Sequence, residues 1–114
     1  VKYVGSMQQI VDMAEDFRRA GTTLSMHNPN GPVCHAASLQ VSAALPDTPV
    51  LEMQLRESAW FDRLVHPALP APVAGRCTLP SGSGMGVALE RAPAALIAGL
   101  WRWGEEPRNG HGPS

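Results

Sequence analysis

The stretch that decides the fold is TTLSMHNPNGPVCHAASLQVSAALPDTPVLEMQL, residues 22–55. It opens with a short run of β-branched and apolar residues, 22–26, which is typical of a strand. A Pro- and Gly-punctuated loop follows, and the small-residue stretch from Val33 to about Leu45 predicts a helix with Pro32 in its first turn. A third apolar run occupies residues 50–55. Strand, helix and strand in this order are typical of parallel strands joined by a right-handed crossover.

The residues before this stretch repeat the same alternation. Residues 1–4 form a strand-like run, and Ser6 with Gln9 three positions later forms a capping box that predicts a helix starting at Met7. Apolar residues then recur at spacings of three and four, and Gly21 ends the helix as a C-cap. The fold class is therefore predicted to be α/β, with a parallel βαβαβ unit.

The rest of the chain is less regular. The pattern predicts a short helix over Ala59–Leu64, an irregular Pro- and Gly-rich stretch over residues 65–86 and a final helix over Ala92–Trp103. We expect residues 1–103 to form one domain portion and residues 104–114 to be a flexible polar tail.

Composition excludes several classes of function. The 114 residues, 44% of them hydrophobic, suffice for one modest core. The net charge of −1 and the lack of like-charge runs argue against nucleic acid or an anionic membrane as a partner. No apolar stretch approaches the roughly 20 residues that span a bilayer, and no signal-peptide pattern is seen, so a soluble cytoplasmic protein is predicted. Cys34 and Cys77 lack C-x-x-C spacing and are expected to be reduced thiols.

Side-chain alternation separates an aliphatic face from a polar face in each strand-like run. The polar faces carry Thr23, Ser25 and His27 in one run and Glu52 in the next. His27 lies at the C-terminal end of its run, where ligands sit in barrels and open α/β sheets. Two interpretations stay open for each residue. His27 is either a catalytic base or a donor to a loop carbonyl, and Glu52 either takes part in chemistry or pairs with an arginine such as Arg56.

Other polar residues favour structural roles. We predict such roles for His35 on the helix, His66 among prolines and His111 in the tail. The Gly-rich residues 81–86 are similar to a phosphate-binding loop, but they follow Leu-Pro and lead into no evident helix, so a turn is predicted. The two histidines of the central stretch lack a recognised metal-site spacing, and we assign no metal ligand within the chain.

The order of the segments resembles the C-terminal part of enolase-superfamily enzymes of the mandelate racemase group. The segments that carry the resemblance are V-K-Y-V-G-S, T-T-L-S-M-H-N-P-N-G-P-V, the small-residue helix ending A-A-L-P, V-L-E-M-Q-L and L-P-S-G-S-G-M-G-V-A-L-E, over about residues 1 to 90. The H-N-P-x-G-P-V stretch looks most like the acid-sugar dehydratases of the galactonate dehydratase type.

This resemblance implies a (β/α)₇β barrel with an N-terminal capping domain, of which the chain would supply the sixth to eighth strands. By position, it implies that His27 is the general base and that Glu52 hydrogen-bonds the substrate carboxylate or enolate. The Asp partner of the base would immediately precede Val1, and the Mg²⁺ ligands would lie further upstream. Ser6 stands where a second glycine is usual. A (β/α)₈ barrel needs about 250 residues, so we expect a C-terminal fragment.

The implied activity is that of a Mg²⁺-dependent acid-sugar dehydratase, a lyase that removes the proton α to a carboxylate and eliminates water through an enediolate. We expect the partner to be a small sugar acid or hydroxy acid, the full-length enzyme to be a homo-oligomer, and the isolated chain to be inactive. The alternatives are a racemase, epimerase or cycloisomerase of the same superfamily, or a non-enzymatic α/β interaction module.

Overall fold

A computed structural model describes residues 4–47, 50–54 and 58–100 of the chain. The elements in chain order are α1 (Met7–Arg19), α2 (Pro32–Ala44), a 3₁₀ turn (Phe61–Arg63), β1 (Val65–His66), β2 (Ala88–Leu89) and α3 (Arg91–Leu100). The two predicted helices of the N-terminal half are therefore confirmed. The predicted strand over residues 1–4 lies outside the described residues except for Val4. The predicted tail, residues 104–114, lies wholly outside them.

Both ends of α1 are fixed by the residues that predicted them. The Ser6 hydroxyl oxygen accepts a hydrogen bond from the Gln9 backbone N–H at 3.1 Å. Gly21 has a φ of +75° just past the C-cap. Its N–H donates to the Arg18 carbonyl at 3.0 Å, and the N–H of the following residue donates to the Phe17 carbonyl at 2.9 Å. This is the Schellman arrangement, and it turns the chain back toward the next strand-like run.

Helix α2 packs through a face of small side chains. Its buried residues are Pro32, His35, Ala36, Ala37, Ser38, Leu39 and Val41. Small side chains on this face permit close approach, and Ile10 of α1 meets Val41 of α2 and Met26 in a buried cluster. Partly buried Val4, Val11, Leu24 and Leu51 pack against the cluster. The core thus lies between the two helices and the two strand-like runs that flank α2.

The runs on either side of α2 pair in parallel, as the crossover predicts. The bridge joins Met26 to Leu51, and the Glu52 N–H donates to the Met26 carbonyl at 3.2 Å. The Ser25 hydroxyl donates to the Val50 carbonyl at 2.8 Å. The described part of these runs forms this single bridge in place of extended strands, and it sets the register.

The second half of the described chain departs from the prediction. The helix expected over residues 59–64 is only the short 3₁₀ turn. The stretch expected to be irregular contains β1, which pairs antiparallel with β2 through Val65 opposite Leu89 and His66 opposite Ala88. A strand of two residues is too short to show the alternation that identifies strands in a sequence. Helix α3 begins at residue 91, one position before its predicted start, and the predicted end lies outside the described residues. None of the helices that the structure describes has the length and hydropathy of a membrane span.

The Gly-rich residues 81–86 form a turn, as predicted. The Gly86 N–H donates to the Ser83 carbonyl at 3.0 Å. Gly84 has a φ of +62° and Gly86 a φ of +75°, so both occupy the left-handed region that favours glycine. A Cβ atom at Gly86 would overlap Pro80, whereas a Cβ at Gly84 would meet nothing within 4 Å.

These two glycines give a matched pair of substitutions. Gly84→Ala and Gly86→Ala each place an alanine in a left-handed conformation, which costs about 1–2 kcal/mol. Gly86→Ala also forces Pro80 away, and such overpacking costs about 1–3 kcal/mol more. We expect urea unfolding to show the larger loss of stability for Gly86→Ala. Equal losses for the two variants would contradict the close approach of Pro80.

Candidate active site

The polar faces of the two paired runs bring His27 and Glu52 together. The imidazole Nδ1 lies 2.6 Å from the carboxylate Oε2. Both side chains are more than half exposed, at 58% and 59%. The predicted parity is confirmed, since Met26 is buried while Ser25 and His27 are exposed. The structure places the imidazole of His27 beside Glu52, and Arg56, the arginine considered as its partner, lies outside the described residues.

A carboxylate at this distance selects one tautomer of the imidazole. A neutral His27 that donates Nδ1–H to Glu52 carries its lone pair on Nε2. Carboxylates orient histidines in this way in many proton-transfer sites. The pair is therefore chemically suited to accept a proton from a bound molecule.

A backbone hydrogen bond next to His27 and Glu52 holds the two residues side by side. Met26 immediately precedes His27, and its carbonyl accepts the N–H of Glu52. Because that hydrogen bond joins the two residues' own strand-like runs, the register brings one side chain to the other. Ser25 reinforces the register on the same face by its bond to the Val50 carbonyl.

A second polar pair, in contrast to the first, is buried. Asn28 Nδ2 lies 2.7 Å from His35 Nδ1, and each residue is only 2% exposed. The ring of Phe61 is tilted against that of His35, with 6.0 Å between centroids. Burial lowers the pKa of His35, which favours the neutral ring that can accept a hydrogen bond from Asn28.

The sequence pattern predicts a structural role for His35, and nothing in it singles out Asn28. The burial of His35 is predictable from the sequence. Counted from Pro32, the residues three, four and seven positions further on lie on the same helical face, and these are His35, Ala36 and Leu39. The partnership with Asn28 had no such signal, since a separation of seven residues across a loop follows no periodic rule.

The buried His35 predicts a dependence of stability on pH. Its pKa is lowered below the usual 6.5 in the folded chain, so the unfolded chain binds a proton more readily. Stability is therefore fully present above about pH 6.5 and is lost as the pH falls through the folded pKa. Urea unfolding at pH 7.5 and 5.5 measures this loss. We expect His35→Leu to weaken the dependence, whereas His66→Leu, at an exposed histidine of β1, retains it. Equal pH dependence in His35→Leu and the wild type would contradict the assignment.

The remaining sequence candidates lie apart from this pair or outside the described residues. His66 is exposed on β1, and His111 lies outside the part of the chain that the structure describes. Cys34 and Cys77 are unbridged, as predicted, and Cys77 Sγ lies 3.4 Å from Met53 Sδ. Within residues 4–47, 50–54 and 58–100, no group of three or more His, Cys, Asp or Glu side chains is placed to hold a metal ion.

An apolar cavity opens beside the first turn of α2. It has a volume of about 560 Å³ and is lined by residues that include Pro32, Cys34, Leu64 and Leu89. Neither His27 nor Glu52 lines it. The polar pair on the runs, and not this cavity, is therefore the candidate site for chemistry.

Comparison with known proteins identifies a family over most of the chain. The family model described as enolase C-terminal domain-like matches residues 1–93. No curated protein and no solved structure matches the chain. The matched residues include both members of the exposed pair, His27 and Glu52, and both members of the buried pair, Asn28 and His35.

Proposed function

Because the chain belongs to the enolase C-terminal domain-like family, we propose that it is the C-terminal barrel portion of a Mg²⁺-dependent acid-sugar dehydratase. Its two parallel strand-like runs correspond to late strands of a (β/α)₇β barrel, and α2 corresponds to the helix that connects them. The parallel bridge between Met26 and Leu51 supports this arrangement. The first of the three strands, over residues 1–4, lies outside the described residues apart from its last position.

The observation that carries the proposal is the contact of 2.6 Å between His27 Nδ1 and Glu52 Oε2. His27 acts as the general base, because a neutral imidazole can accept a proton and the carboxylate sets the orientation of the ring. Glu52 aligns His27 by accepting the Nδ1–H at Oε2. Its other oxygen, when it carries a proton, donates a hydrogen bond to the substrate carboxylate or enolate.

In the proposed reaction, His27 takes the proton from the carbon next to the substrate carboxylate. The electrons of that C–H bond form the carbon–carbon double bond of an enediolate. The enediolate then expels the β-hydroxyl group, which leaves as water after protonation, and the resulting enol becomes a 2-keto-3-deoxy acid. Dehydration therefore requires a base for the α-proton and an acid that protonates the departing hydroxyl group, and it requires no oxidant.

Members of the enolase superfamily generally use Mg²⁺. When bound, the ion would stabilise negative charge on an enediolate. The described residues of this chain do not supply a set of ligands for it. By the resemblance to the mandelate racemase group, the ligands are proposed to lie on earlier strands of the barrel.

The proposal is tested with the complete polypeptide that includes the upstream strands. The enzyme is incubated with a panel of aldonates and Mg²⁺, and 2-keto acid is detected as its semicarbazone. Incubation in D₂O reports removal of the α-proton separately. We expect both signals for at least one aldonate, and neither for the 114-residue chain alone.

Other results would separate the alternatives. Exchange of the α-proton with inversion at that carbon, and without 2-keto acid, would indicate a racemase or epimerase of the same superfamily. The absence of both exchange and product with every acid of the panel would contradict an enzymatic role. It would favour a non-enzymatic interaction module. Turnover by the 114-residue chain alone would contradict the proposal that the active site also needs residues from earlier strands of the barrel.

A further inference from the structure

The buried pair of Asn28 and His35 is linked to the exposed pair through the chain, because Asn28 follows His27 directly. His35 is in the first turns of α2, on its buried face. Both side chains are 2% exposed, and 2.7 Å separates Asn28 Nδ2 from His35 Nδ1. A polar contact so deeply buried is a fixed feature of the loop and not an interaction that solvent replaces.

We propose that His35 is a positioning residue, which acts through Asn28 to hold His27 in the orientation that meets Glu52. This inference rests on the proposed function, because it assigns a role in the same reaction.

His35 holds both ends of the loop that follows His27. Its ring nitrogen accepts the side-chain hydrogen bond of Asn28 at the start of the loop. Its backbone N–H donates to the carbonyl of Gly31 at the end of the loop, at 3.1 Å. Residues 28–31 are thereby tied at both ends to one turn of α2.

His27 consequently lies between two fixed neighbours. On one side, the carbonyl of Met26 accepts the N–H of Glu52, which locks the register of the two runs. On the other side, the side chain of Asn28 is held by His35. Because the backbone is fixed before and after His27, its side chain leaves the backbone in one direction, toward Glu52.

The buried pair is not explained by stability alone. Asn28 Oδ1 is buried and has no hydrogen-bond partner among the residues that the structure describes. A buried polar atom without a partner is unfavourable, and two apolar side chains of similar shape would avoid that penalty. What the polar pair adds over apolar packing is a directional bond, which fixes the position of the loop.

The central test measures the kinetics of variants in the complete enzyme. His35→Leu removes the acceptor, and His35→Asn offers an amide oxygen close to the place of Nδ1. Ser38→Ala is the matched control, since Ser38 is fully buried on the same helix and its hydroxyl has no partner within the described chain. Misplacement of a reacting group by about 1 Å costs on the order of 10²-fold in rate. We expect His35→Leu to lower kcat about 10- to 100-fold with KM little changed.

The pattern across the variants decides between positioning and general packing. We expect His35→Asn to recover most of kcat and Ser38→Ala to retain it. Asn28→Ala removes the same hydrogen bond from the loop side and is expected to match His35→Leu, which covers the case that His35→Leu does not fold. Normal kcat in folded His35→Leu or in Asn28→Ala, or no recovery in His35→Asn, would overturn the proposal.

A spectroscopic test separates this inference from the proposed function. In the 114-residue chain, the Nδ1 proton of His27 bonded to a carboxylate is expected to give a strongly downfield ¹H signal. We expect Asn28→Ala to broaden or shift this signal while the dispersion of backbone amides is unchanged. An unchanged signal would overturn the inference even if the enzyme is active. A changed signal in a protein without turnover would support the positioning and contradict the proposed function.

Discussion

Replacing His27 with asparagine is expected to lower kcat of the complete enzyme by about 10²- to 10⁴-fold, the usual contribution of a positioned general base. The amide of asparagine retains a donor that can bond to the Glu52 carboxylate. It has no basic nitrogen, so it cannot take the proton of the substrate. The variant therefore removes the proposed chemistry while it conserves polarity and approximate size at an exposed position.

The measurement combines turnover with exchange of the α-proton in D₂O. We expect His27→Asn to lower both to a similar extent, because both require removal of the same proton. His66→Asn is the matched control, since it makes the same change at an exposed histidine of β1. We expect that variant to retain wild-type kcat. Normal exchange in His27→Asn would show that another group removes the proton, and would contradict the role assigned to the pair.

The parts of the fold that the sequence predicts are those set by local rules. The cap of α1 at Ser6 and its end at Gly21 follow from hydrogen bonds within a few residues. The parity that places His27 and Glu52 on one face follows from the alternation of side chains along an extended chain. These features depend little on distant residues, so a sequence suffices to predict them.

The parts that the sequence does not predict depend on contacts between distant residues. The strands β1 and β2 have two residues each and exist because Val65 meets Leu89, a separation that leaves no periodic signal. The 3₁₀ turn replaces a predicted helix in a segment too short for several helical hydrogen bonds to form. The contact of Asn28 with His35 depends on how a loop closes over a helix, and the residue types alone do not specify it.

The packing beneath the site predicts a large effect on stability. Ile10 is 2% exposed and packs with Met26 and Val41 in the core cluster. Ile10→Ala is expected to destabilise the chain by about 2–5 kcal/mol, from the lost burial and the cavity that remains. The total stability of a domain is only about 5–15 kcal/mol. This one substitution is therefore expected to remove a large fraction of it.

Urea unfolding measures this loss, and Met13→Ala on the same helix is the control. Met13 is 36% exposed, so its truncation leaves a smaller cavity and is expected to cost about 1 kcal/mol or less. Ile10 shares the core cluster with Met26, the residue before His27, so a cavity there is expected to loosen the register that brings the imidazole to Glu52. We therefore expect the downfield ¹H signal of the His27 Nδ1 proton to be weakened in Ile10→Ala, even at urea concentrations at which this variant is still folded. In Met13→Ala, the same signal is expected to match that of the wild type. Equal destabilisation by the two variants would mean that the cluster around Met26 does not support the site.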